Sequence, residues 1–129
     1  MIVGMTKALK VLVAEDDVFL ASLLIRALQT EHFDAQAVYD GVQAIEKIKI
    51  WQPDFLLLDI FMPNKDGFEV LEDIKSTPTP PPAVKVIVLS NLNETENIER
   101  AKKLNVLDYL IKANTTPHEV VDRLKTFLN

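Results

Sequence analysis

Phe55-Leu56-Leu57-Leu58-Asp59 is the stretch that decides how this chain folds. Side chains of a strand alternate between its two faces, so an unbroken run of large apolar residues leaves no position for water. It reads as an interior strand of a parallel sheet covered on both sides. Sheets of that kind bind ligands beyond the carboxyl ends of their strands, and Asp59 occupies such an end. Leu12-Val13-Ala14 stops in the same way at Glu15-Asp16-Asp17. Two further runs end in complementary residues, Val84-Lys-Val-Ile-Val-Leu89 at Ser90 and Val106-Leu-Asp-Tyr-Leu-Ile111 at Lys112. Acids, a hydroxyl and an ammonium are therefore expected on one rim.

With a weaker run at 34–38, the strands are expected at about 8–14, 34–38, 54–59, 84–90 and 106–111. Segments of helical period separate them. Leu20, Leu23, Leu24, Ala27 and Leu28 recur at intervals of three and four, as do Val42, Ile45 and Ile48 with Ala44 beside them. Capping-box spacing marks helix starts at Asp40 with Gln43, Asp66 with Glu69, Asn93 with Glu96 and Thr116 with Glu119, and Pro117 suits a first helical position. Strict alternation of strand and helix implies right-handed crossovers and a doubly wound α/β fold with helices on both faces.

The chain of 129 residues is long enough for about one domain, expected to span 1–129 with its core at about 7–129. Its 48% hydrophobic and 26% charged composition excludes a disordered chain. A net charge of -5 argues against direct nucleic-acid binding, which usually shows a basic face. The absence of cysteine rules out disulfides and thiolate metal sites and fits a cytoplasmic location. Met1–Met5 is too short for a signal-peptide core, and no stretch is long enough to span a membrane. Thr77–Pro82, with four prolines, is expected to be a stiff connector. His32 and His118 are expected at the surface, and Trp51 as a packing residue. The three glycines form no phosphate-cradling loop, which argues against a nucleotide-binding protein of similar topology.

Carboxylates crowded at one rim repel each other and favour a hard divalent cation. Mg2+ is the natural candidate, because it takes oxygen ligands and commonly joins one or two carboxylates to a phosphate. A carboxylate there can also act as a nucleophile toward a phosphoryl group. A hydroxyl and an ammonium would then hold the phosphoryl oxygens.

The pieces Val11-Leu-Val-Ala-Glu-Asp-Asp17, Leu57-Leu-Asp-Ile-Phe-Met-Pro63 with Asp66-Gly67, Val88-Leu-Ser90 and Asp108-Tyr-Leu-Ile-Lys112, in this order, resemble a response-regulator receiver domain of two-component signalling. The resemblance covers about residues 7–129. It implies a flavodoxin-like (βα)5 sheet with strand order 2-1-3-4-5. It further implies that Asp59 accepts a phosphoryl group from a histidine kinase or histidine phosphotransfer protein. Asp16 would then ligate Mg2+ directly, Glu15 mostly through water, and Phe61 through its carbonyl oxygen. Ser90 and Lys112 would bind the phosphoryl group. Ser90 and Tyr109 would form a switch that remodels the helix 4, strand 5 and helix 5 face for an unknown downstream protein. Such a domain catalyses only its own phosphorylation and dephosphorylation, and is otherwise not an enzyme. No effector domain is visible after helix 5, so a stand-alone regulator or one domain of a longer protein is expected, the Met1 start favouring the former.

Two positions depart from the family pattern. Asn91 follows the hydroxyl residue, where a small residue is usual, and Ala113 follows the lysine, where proline is usual. A phosphatase of the haloacid-dehalogenase type would need a second aspartate two residues after Asp59, where Phe61 stands. A receiver-like scaffold that acts by binding alone would be marked by loss of Asp59 or Lys112, and both are present.

Overall fold

A computed structural model describes residues 8–77 and 83–128. The proline-rich connector and the apolar N-terminal stretch considered above lie largely or wholly outside them. Strands β1 (Lys10–Ala14), β2 (Asp34–Val38), β3 (Phe55–Leu58), β4 (Lys85–Ser90) and β5 (Asp108–Ile111) alternate with helices α1 (Val18–Thr30), α2 (Gly41–Trp51), α3 (Gly67–Ser76), α4 (Thr95–Lys103) and α5 (Pro117–Lys125). All pairings are parallel and the order is β2-β1-β3-β4-β5, as expected.

Two cores flank the sheet. Leu12, Leu56, Leu58, Val86 and Val88 face α2, α3 and α4, whereas Val11, Val13, Phe55, Leu57 and Ile87 face α1 and α5. Alternate residues of β1, β3 and β4 thus serve opposite cores, and all four residues of β3 are buried. Trp51 packs against the first core, with the Lys10 and Lys47 ammonium groups 5.7 and 5.8 Å from its ring centroid. His32 and His118 are exposed.

The capping boxes of α3 and α5 form in full. At α2 only half of the expected box exists: Asp40 accepts from the Gln43 amide, but the Gln43 side chain accepts from Tyr39 N–H rather than from Asp40. The expected start of α4 at Asn93 is corrected. Glu94 is its N-cap, without a side-chain bond to the helix.

The expected buried face of α2 forms through Ala44, Ile45 and Ile48 but not at Val42. Gly41, Ala44 and Ile48 are buried, while Val42 is 40% exposed. A Cβ on Gly41 would lie 2.0 Å from the Lys65 carbonyl oxygen, so the helix start abuts the loop after β3 at a distance that only glycine permits. Asn64 in that loop donates to Asp40 at 2.8 Å. Gly41→Ala is expected to cost about 3 kcal/mol, because the clash is with backbone that cannot rotate aside. A urea unfolding curve displaced by less than about 1 kcal/mol would show that the loop yields.

Candidate functional site at the carboxyl rim

The site forms where β1, β3, β4 and β5 end. Glu15 follows β1, Asp59 follows β3, Ser90 is the last residue of β4, and Lys112 follows β5. Backbone bonds continue the sheet to these points: Glu15 N–H donates to Val38 O at 3.1 Å and Asp59 N–H to Ala14 O at 3.0 Å. Register therefore places two carboxylates side by side. Glu15 and Asp59 are only 2% and 4% exposed, whereas Asp16 is exposed. One carboxylate oxygen from each of the three lies within 4.8 Å of the others.

Lys112 bridges the buried pair. Its Nζ lies 2.7 Å from Glu15 Oε1 and 2.9 Å from Asp59 Oδ2. Burial works to lower the lysine pKa, but the hydrogen bonds from Glu15 and Asp59 outweigh it and hold the ammonium above its ordinary value. Burial pushes the Glu15 carboxyl up to about 7, and the Asp59 charge adds to this, against the opposing bonds from Lys112 and the Asp17 amide. One ammonium thus faces three carboxyl groups, two of them taken out of water. The imbalance favours a further cation.

Asp17 has a different task. It caps α1, accepting from Leu20 N–H at 3.1 Å, while its own N–H donates to Glu15 Oε2 at 3.0 Å. Gly67 also shapes the site. A Cβ there would lie 2.5 Å from the Asp59 carbonyl oxygen, so α3 begins directly against the Asp59 backbone.

Ser90 is fully buried, and its Oγ accepts from Leu92 N–H at 3.2 Å. Tyr109 O–H donates to the Leu92 carbonyl at 2.6 Å, and its ring packs against the core shared with α4. Burial, foremost, pushes the phenol pKa up, the Ser90 hydroxyl acting in the opposite sense. Both expected switch residues thus hold the backbone of Leu92, one at each polar group. Phe61 lies in the loop after β3 and is 65% exposed.

The sequence offered no sign of Gly41 as a contact residue or of Thr115, whose hydroxyl donates to Ile111 O at 2.8 Å. A threonine three residues after a site lysine carries no spacing signal. Asn91 stood out only as a departure from pattern.

The parallel sheet carries acids, a hydroxyl and a lysine at one rim, and comparison with known proteins gives its family. The family model described as "Response regulator receiver domain" matches residues 11–125, and the chain belongs to that family. It is similar to the regulatory protein VanRc of Enterococcus gallinarum, 35% identical over 92% of this chain and 49% of that protein. It is also similar to the chemotaxis protein CheY of Halobacterium salinarum, 30% identical over 94% of this chain and 98% of that protein. The receiver domain of the response regulator NarL from Mycobacterium tuberculosis superposes with a TM-score of 0.82 at 26% identity, covering 94% of this chain and 96% of that one. The chain spans about half the length of several curated relatives that it matches, VanRc among them. Among the described residues no helix is long and apolar enough to cross a membrane.

Proposed function

We propose that Asp59 accepts a phosphoryl group from a histidine kinase or histidine phosphotransfer protein, and that the modified domain is read by a downstream protein on the face of α4, β5 and α5. The observation that carries this reading is the Lys112 bridge between the Asp59 and Glu15 carboxylates beside Asp16.

An Asp59 carboxylate oxygen would attack phosphorus as the bond from phosphorus to the donor's imidazole nitrogen breaks, leaving the imidazole to take up a proton from water. Lys112, already on Asp59 Oδ2, is placed to pair with a phosphoryl oxygen as charge moves there. The cluster's donor set fits a hard divalent cation: it is all oxygen, clustered within 4.8 Å, with a single ammonium against three carboxyl groups. Asp16, Asp59 and the Phe61 carbonyl would hold Mg2+. Both Glu15 oxygens are engaged, one by Lys112 and one by Asp17 N–H, which favours a contribution through water. Bound Mg2+ would supply neutralisation of a phosphoryl oxygen.

The output follows from Leu92. The Ser90 hydroxyl accepts from Leu92 N–H and keeps its own O–H free to donate, so movement of Oγ toward a phosphoryl oxygen would pull on Leu92, whose carbonyl Tyr109 holds. A change at Ser90 is thereby passed to the start of α4 and to β5. Exposed Lys102 and Lys103 put positive charge on the last turn of α4, while Glu96 and Glu99 put negative charge nearer its start, a mixed surface for a partner to read.

Incubation with a small acyl phosphate and Mg2+ tests the reading. A single acid-stable, base-labile adduct on the peptide containing Asp59 is expected, and a chelator should prevent it. No adduct, or one on another residue, would overturn it.

A further inference from the structure

Asn91 and Ala113 each follow a residue of the site, and the two meet: Ala113 N–H donates to Asn91 Oδ1 at 2.8 Å. Backbone pairing between β4 and β5 ends at Ser90 with Ile111, one residue before Asn91 and two before Ala113. The amide side chain therefore supplies one more rung where the backbone ladder has stopped. Its reach across 22 residues to another strand is not that of a local turn former.

Lys112 needs an anchor at this point. It opens a 3-10 turn over Lys112–Asn114, and the first N–H groups of a helical turn have no partner within it. On one side Thr115 Oγ1 donates to Ile111 O at 2.8 Å, and on the other Asn91 takes the Ala113 amide. The lysine backbone is thus gripped at both flanks. A lysine side chain is long and rich in rotamers, so fixing its backbone removes one source of slack between the ammonium and its partners Glu15 and Asp59. The Asn91 bond is exposed, and an exposed bond adds little to folding stability. Its effect should fall on the site.

We propose that Asn91 is a positioning residue, which holds the Lys112 ammonium on Asp59 by way of the Ala113 amide. The proposal deepens, and for its kinetic consequence rests on, the reading of Asp59 as phosphoryl acceptor.

The test combines amide exchange at Ala113, the NMR signal of the Lys112 ammonium, and the rate of Asp59 phosphorylation by a small acyl phosphate with Mg2+. Asn91→Ala should speed Ala113 exchange by about tenfold or more. It should broaden the ammonium signal, and slow phosphorylation by about tenfold. The melting midpoint should move by less than about 2 °C. Asn91→Asp, which keeps the acceptor oxygen, should restore Ala113 protection and most of the rate. In a Lys112→Ala background, Asn91→Ala should slow the residual reaction no further.

Equal Ala113 exchange in wild type and Asn91→Ala would overturn the proposal, as would undiminished slowing in the Lys112→Ala background. A wild-type protein that took up no phosphoryl group would overturn the acceptor reading instead. Asn91 would then be judged on the Ala113 exchange and the ammonium signal alone.

Discussion

Asp59→Asn is expected to abolish phosphoryl uptake from small acyl phosphates and from phosphorylated kinases while leaving the fold intact. An amide oxygen is a far poorer nucleophile than a carboxylate, so the reaction is lost at its first step. The fold should survive because Lys112 keeps Glu15 at 2.7 Å, and an asparagine oxygen still accepts from the ammonium. Removing one of two buried carboxylates also relieves the repulsion that helps to push the Glu15 carboxyl up. Stability should therefore change by less than about 1 kcal/mol in either direction, although Asp59 is nearly inaccessible. Uptake by the variant at the wild-type rate, measured by intact mass, would remove Asp59 from its assigned role. Loss of uptake with a collapsed unfolding midpoint would mean that the carboxylate is structural.

The second large effect is expected at Asp16. Asp16→Asn removes a charge from the exposed member of the cluster, the acid with most access to a cation arriving from solvent. Outer-shell substitutions around metals commonly cost 10- to 100-fold in affinity, so loss of a carboxylate proposed to ligate directly should weaken Mg2+ binding by at least about tenfold. Phosphorylation at limiting Mg2+ should slow in step. Asp17→Asn supplies the contrast. Asp17 serves α1 as its N-cap, and asparagine caps about as well as aspartate, so neither metal affinity nor stability should change by more than about 0.5 kcal/mol. Equal weakening at both positions in a Mg2+ titration would overturn this division of labour between adjacent acids.

Much of this was legible in the sequence. Runs such as Phe55–Leu58 are buried on both faces because the residues themselves leave no polar side, and the polar residue that ends each run sits at the strand end for the same reason. Asp66 and Thr116 announced α3 and α5 because a capping box is closed within four residues. Where the local signal met competition it misled. Val42 is apolar and correctly spaced, yet it is 40% exposed, while Ala44, Ile45 and Ile48 of the same set pack on the core as expected. Asn93 and Glu96 have the right spacing, yet Glu94 caps α4.

The sequence by itself determined the alternation of strands and helices, the burial of the central strands and the residue types at the rim, because these depend on short-range periodicity and on the polarity of single side chains. Tertiary structure decided the pairings: Lys112 with Asp59 across 53 residues, Ala113 with Asn91 across 22, and Ser90 with Tyr109 through the shared backbone of Leu92. Those depend on strand register and on how far each chain runs past its last rung. Neither is encoded within the reach of one turn of helix or one pleat of strand, so they exist only once the sheet has closed its order.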